Sequence, residues 1–151
     1  MPEKIADVVI QDLKQFIDER GKVMHMIRAD SPLFDEFGEV YFSMVNPGKI
    51  KAWKKHKQMT QRYAVPVGKI QLVIYDDRSD SASSGVLEQI FIGEDEYRLV
   101  QIPPGVWYGF KGISNIPALV ANCTNLPHHP EEAQNCDPDA SDIPFSWEAA
   151  E

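Results

Sequence analysis

The stretch RYAVPVGKIQLVIYDD, residues 62–77, reads as two strands joined at Val67-Gly68-Lys69. In its second half Ile70, Leu72 and Ile74 fall on one side and Gln71, Val73 and Tyr75 on the other. That period of two belongs to a pleated strand, whose successive side chains point to opposite faces. The pattern recurs outward in both directions. VVIQDLKQF (8–16) alternates with a break, DERG (18–21) reads as a turn, and KVMHMIR (22–28) alternates again. ADSPLFDEFG (29–38) is a loop or a single helical turn, with Ser31 as its cap before Pro32. EVYFSMVNPG (39–48) is a strand that ends in a Pro-Gly turn. RSDSASSG (78–85) is a polar loop, and VLEQIFIG (86–93) with EYRLVQI (96–102) forms a hairpin candidate around Gly93-Glu94-Asp95. PPGVWYGF (103–110) turns into a further strand, and PALVANCT (117–124) is the last clear one. Many short strands punctuated by turns predict an all-β fold, closed or double-sheeted, such as a jelly roll.

Bulk properties narrow the partners. A chain of 151 residues suits one domain, 1–151, and its 43% hydrophobic content is that of a soluble globular protein. No stretch approaches the roughly 20 apolar residues of a spanning helix, and no charged-then-apolar leader opens the chain. Two cysteines, Cys123 and Cys136, are too few for a disulfide framework, which predicts a reducing, cytoplasmic setting. A net charge of −8 argues against nucleic acid and anionic membranes as partners. An anionic ligand therefore requires a local basic site.

KAWKKHKQ (51–58) supplies one. Lys49, Lys51, Lys54, Lys55, Lys57 and Arg62, with His56 among them, follow one another with no acidic residue between. Such a run is either a solvated charged face or an anion site for a phosphate or pyrophosphate. Trp53 and Tyr63 lie close enough to stack on a base or sugar. A regular strand here puts Lys49, Lys51, Trp53 and Lys55 on one face and Ile50, Ala52, Lys54 and His56 on the other. A bulge is required before Lys51 and Lys54 share a pocket. Beyond Pro127 the alternation stops, and residues 131–151 carry seven acidic side chains and no basic one. That segment reads as a C-terminal arm ordered by Phe145 and Trp147.

Taken in order, DERGKVMHMIR, FGEVYFSMVNPGKIKAW, KHKQ, GKIQLVIYDDR, LVQIPPGVWYGF and DIPFSW resemble the dTDP-4-dehydrorhamnose 3,5-epimerase family of cupins, over roughly residues 8 to 147. The resemblance implies a cupin-type jelly-roll barrel with short N-terminal strands and the acidic arm. It implies a homodimer in which strands around residues 8 to 28 extend the partner's sheet. It also implies a pocket for a dTDP-linked 4-keto-6-deoxy sugar and no metal or other cofactor.

The resemblance further says which positions carry chemistry. The family's Arg-Gly-Leu-His falls on Lys51, Ala52, Trp53 and Lys54, so Lys54 replaces the catalytic histidine and Lys51 keeps the pyrophosphate charge. The histidine's aspartate partner falls on Ala140, with Asp139 and Asp142 beside it. The tyrosine acid falls on Ala121 or Asn122, and a further pocket histidine on Tyr108. A family lysine falls on Gln61, next to Arg62. KKHK keeps the second half of the His-x-His-Lys stretch of sugar-nucleotide 3,4-ketoisomerases, through His56. The metal-binding cupins' histidine set is missing, since only His56 and Tyr108 stand at its positions, with His25, His128 and His129 elsewhere.

Epimerisation beside a ketone needs one group to remove a C–H proton and another to return a proton from the opposite face. Two readings follow. In one the chain is a sugar-nucleotide epimerase or ketoisomerase with altered catalytic residues: Lys54 with His56 removes the proton, Tyr108 donates, and Lys51, Trp53, Gln61 and Arg62 bind substrate. In the other it is a non-catalytic cupin that binds a nucleotide sugar or a partner enzyme.

Overall fold

Strand-forming alternation gives twelve strands in the computed structural model, which describes residues 4–148. They are β1 (Val9–Asp12), β2 (Gln15–Asp18), β3 (Gly21–Met24), β4 (Glu39–Val45), β5 (Ile50–His56), β6 (Gln61–Val67), β7 (Lys69–Tyr75), β8 (Leu87–Gly93), β9 (Arg98–Ile102), β10 (Trp107–Gly112), β11 (Ala118–Thr124) and β12 (Ala133–Asn135). A single turn of 3-10 helix, Pro130–Glu132, precedes β12. One sheet has the order β1-β9-β6-β11-β4, the other β12-β5-β10-β7-β8, and β2–β3 stands apart as a hairpin. Every pairing is antiparallel.

The two large sheets close on each other as a jelly roll around one core. Ile70, Leu72 and Ile74 of β7 meet Val65 of β6, Val100 of β9 and Val120 of β11, all buried. Burying each such side chain contributes about 1.5–3 kcal/mol. The other face of β7 is covered too. Val73 and Tyr75 pack with Trp53 and Trp107 under Ile143, Phe145 and Trp147 of the arm. Phe145 meets Trp147 edge-on at 4.9 Å, and Trp147 lies 5.2 Å from Trp53.

Where the chain changes sheets, alternation alone misled. The expected hairpin at Gly93-Glu94-Asp95 is a crossover: β8 pairs with β7 in one sheet, whereas β9 pairs with β6 and β1 in the other. Only an isolated bridge between Gly93 and Glu96 links the two limbs. A period of two says which residues face inward, not which strand lies alongside. Ser31 likewise caps no helix; its Oγ accepts from the Arg28 N–H at 2.9 Å and closes a turn. Residues 9–12 pair with this chain's own β9, and the β2–β3 hairpin leaves Phe16, Ile17 and Val23 exposed. The arm, where alternation had stopped, contains β12, which pairs with β5.

Gly68 makes the tightest of these crossings, carrying the chain from β6 in one sheet to β7 in the other. Its φ of +78° suits glycine, and a Cβ there would lie 2.7 Å from Ala118 Cα and 3.0 Å from Ala118 Cβ. Strained φ and backbone overlap together predict that Gly68→Ala destabilises the fold by about 1–3 kcal/mol. Urea unfolding checks this; an unchanged midpoint would show that the corner can shift without cost.

Candidate active site

A cavity of about 370 Å³ opens between the sheets, on the side where β4 edges one and β5 and β12 border the other. Its walls include Tyr41 and Ser43 of β4, Lys51 and Lys54 of β5, Tyr63 of β6, Tyr108 and Phe110 of β10, Asn122 of β11 and Asn135 of β12. That size and mixed lining are those of a small-molecule site.

A β-bulge puts the two lysines together. Lys54 lies opposite Tyr108 and Lys51 opposite Phe110, but Ala52 is opposite Gly109, so Trp53 has no residue across from it. The extra residue reverses the alternation, and Lys51 and Lys54 both face the cavity. Gly109 permits it: a Cβ there would sit 2.4 Å from Ala52 Cβ. Lys51 Nζ donates to Ser43 Oγ at 2.9 Å across the gap between the sheets.

The remaining expected ligand contacts are placed otherwise. Trp53 touches the cavity wall, but only 1% of it is exposed. Its indole Nε1–H donates to the Pro138 carbonyl at 3.1 Å beneath the arm, so it is not free to stack on a sugar. Lys55 points outward to Asp77 at 2.7 Å and over the Trp107 ring at 4.8 Å. Arg62 lies on the far side of its strand from Tyr63. Its guanidinium donates to the Leu33 carbonyl at 3.0 Å and to Asp35 at 2.5 Å, so it is a fastener of the 29–38 loop and not a cavity cation. Gln61 is wholly buried below the cavity, accepting from Asn122 Nδ2 at 2.8 Å. Ala121 does not line the cavity; Asn122 does, and its Nδ2 also donates to the Tyr41 hydroxyl at 3.0 Å.

His56 and Tyr108 meet directly. The phenol lies 2.9 Å from His56 Nε2, the rings are near-parallel at 10°, and Tyr63 packs edge-on against Tyr108. On the other side of the imidazole, Nδ1 lies 2.5 Å from Glu132 Oε1, while Glu132 Oε2 accepts the backbone N–H groups of Gln58 at 2.6 Å and Met59 at 2.7 Å. A carboxylate can only accept, so the neutral imidazole carries its proton on Nδ1 and turns the Nε2 lone pair to the Tyr108 O–H. The result is a buried Glu132–His56–Tyr108 relay whose phenol end faces the cavity.

Electrostatics suit a relay with a neutral centre. Burial pushes the His56 pKa below 6.5; Glu132 opposes the shift, and Lys54 and His128 add to it. Burial raises Glu132, but the bonds from Gln58 N–H, His56 and Met59 N–H outweigh it and hold the carboxyl below its ordinary value. Burial also drives the Tyr108 phenol well up, with the neighbouring Tyr41 adding, against hydrogen bonding from Gln61 and Tyr63.

The acidic partner of His56 is therefore Glu132. Asp139 borders a different cavity, with Phe145 and Trp147. Sequence reasoning missed Glu132 because 76 residues separate it from His56 and it sits in a segment without alternation. Its one local signal is Pro130, which opens a turn in HHPEE but does not say what the turn faces. Among the described residues, no group of three or more His, Cys, Asp or Glu side chains is arranged to hold a metal ion.

Two antiparallel sheets closed as a jelly roll, with a hydrogen-bonded Glu132–His56–Tyr108 chain beside the cavity between them, define a cupin-type domain. The chain belongs to the dTDP-4-dehydrorhamnose 3,5-epimerase family, whose model matches residues 2–151. It is 36% identical over 144 residues to a probable low-salt glycan biosynthesis epimerase of Haloferax volcanii, covering 93% of this chain and 88% of the relative. The crystal structure of a dTDP sugar isomerase from Desulfovibrio desulfuricans matches with a TM-score of 0.96 and 51% identity, over 97% of this chain and 94% of the other. A Legionella pneumophila 3,5-epimerase in complex with dTDP-4-keto-L-rhamnose shares the fold, with a TM-score of 0.80 at 23% identity, over 95% and 81% of the two chains.

The Glu132 charge raises the His56 pKa against burial, so Glu132→Gln should move it further down. NMR titration should find His56 below its ordinary value in the unaltered protein and lower still in the variant. A midpoint unmoved by the substitution would remove Glu132 from the relay.

Proposed function

We propose that this chain is a cytoplasmic, homodimeric isomerase of dTDP-linked 4-keto-6-deoxy sugars, with Tyr108, His56 and Glu132 as its proton-transfer group. The observation that carries this reading is the relay itself, buried behind Tyr108 and ending at the cavity. Family membership and relatives whose names include a glycan biosynthesis epimerase and a dTDP sugar isomerase support the substrate class. The exposed apolar residues of the β2–β3 hairpin suit a dimer contact.

The chemistry is a proton shift beside the C4 ketone. As Tyr108 Oη takes the substrate C–H proton, its own proton passes to His56 Nε2, and the C–H electron pair enters the enolate. The imidazolium so formed faces the Glu132 carboxylate, which lowers the cost of its charge. The raised phenol pKa makes a free tyrosinate costly, so the two transfers are coupled. Lys54, across the strand pair from Tyr108, supplies fixed positive charge to the developing enolate oxygen. Lys51, at the cavity's outer rim beside Ser43, suits the diphosphate. In this reading Lys54 stabilises charge and the base is the relay.

The non-catalytic alternative draws on Lys54 and Asn122, which face the cavity where the resemblance expects a histidine and a tyrosine. Solvent-deuterium incorporation into dTDP-4-keto-6-deoxyglucose separates the two. The enzyme incorporates label at C3 or C5, Tyr108→Phe and His56→Asn lower the rate by roughly 10²–10⁴-fold, and kcat/KM falls as His56 is protonated below pH 6.5. Tight dTDP binding with no incorporation would establish the binder.

Lys51→Ala removes one charge-assisted phosphate contact, worth about 1.5–3 kcal/mol, and should weaken dTDP binding roughly ten- to a hundredfold. Lys57→Ala, outside the cavity, should change it less than about threefold. Titration calorimetry decides, and equal small effects would reduce the patch to surface charge.

A further inference from the structure

Inverting a carbon centre takes two proton-transfer groups on opposite sides of it, and the Tyr108 relay accounts for one. We infer that Tyr41 is the second, delivering a proton to the face of the substrate carbon turned away from Tyr108. The inference rests on the isomerase reading above and adds the group that makes it an epimerase.

Tyr41 and Tyr108 line the same cavity from different sheets, Tyr41 on the edge strand β4 and Tyr108 on β10. Asn122 holds the Tyr41 hydroxyl in a defined sense. Its Oδ1 accepts from the Arg62 N–H at 3.1 Å, and its Nδ2 donates both to Gln61 Oε1 at 2.8 Å and to the Tyr41 hydroxyl at 3.0 Å. Asn122 is fully buried and its amide cannot flip without losing these bonds. The Tyr41 oxygen is thus an acceptor toward Asn122, and its own O–H is left to donate into the cavity. Tyr41 is also 40% exposed, so solvent can restore a proton it has given up.

Other groups on that wall fit less well. Ser43 accepts the Lys51 ammonium, and an alkyl hydroxyl is a far weaker acid than a phenol. Tyr63 is buried edge-on against Tyr108 and Phe110. The step balances. The Tyr41 O–H bond breaks, its proton and the enolate electron pair form the new C–H bond, and the Asn122 Nδ2–H stabilises the phenolate. Solvent then reprotonates Tyr41, while His56 passes its extra proton back to Tyr108 and the phenol releases its own to water in the cavity.

The two proton transfers are separable by experiment. With dTDP-4-keto-6-deoxyglucose in deuterium oxide, Tyr41→Phe should still incorporate solvent deuterium within a few-fold of the unaltered rate. Once the abstracted proton has left Tyr108 for water in the cavity, the deuterium that replaces it can return to the same face of the carbon, which leaves the configuration unchanged. Inversion should fall roughly a hundredfold or more. Unchanged dTDP binding by titration calorimetry shows that the variant is folded. Inversion that keeps pace with exchange in Tyr41→Phe overturns the assignment, and so does loss of exchange together with inversion, which would put Tyr41 at the first proton removal. No exchange by the unaltered protein rejects the isomerase reading, and this inference with it.

Discussion

Glu132 and His56 meet at 2.5 Å between the 3-10 turn of the arm and the end of β5, and most of the site depends on that contact. An imidazole only 7% exposed is costly to charge, and an unpaired buried carboxylate costlier still. Each offsets the other's burial, while the Gln58 and Met59 N–H groups occupy the second carboxylate oxygen. The same contact sets the tautomer, which turns Nε2 toward Tyr108. It also pins the start of β12, whose Ala133 pairs with His56 and whose Asn135 pairs with Lys54. One charge-assisted hydrogen bond therefore connects the acidic arm, the cavity wall and the phenol at its floor.

The bulge at Trp53 does complementary work. By placing one extra residue opposite Gly109, it sends the indole outward into the aromatic cluster of the arm and brings Lys51 and Lys54 inward together. Anchoring the arm and charging the cavity are two results of one register shift. In a chain of net charge −8, this brings two cationic side chains to the wall of one cavity.

Much of this was legible in the residues, and the limits are instructive. Ile70, Leu72 and Ile74 were read as one face of a strand, and that face is buried in the core; of the basic run, read as a solvated face or an anion site, Lys51 and Lys54 line the cavity. Lys55 and Arg62 are satisfied elsewhere, by Asp77 and by Asp35 with the Leu33 carbonyl. Charge type can be read along a strand, but the side on which the charge emerges depends on counting every residue, and a bulge changes the count.

Local pattern by itself determined the strands, the all-β class and the basic segment with His56, because strand periodicity and residue chemistry are properties of neighbours in the chain; Tyr108 was singled out only by the family resemblance. Tertiary structure alone decided which strands cross between sheets, that Glu132 partners His56, that Tyr41 faces the cavity on an Asn122 tether, and that Trp53 is structural. These are contacts between residues up to 85 positions apart, such as Trp53 with Pro138. Such pairings arise when two sheets close on one core and an arm folds back over them, and no short stretch of sequence carries a record of what will lie across from it.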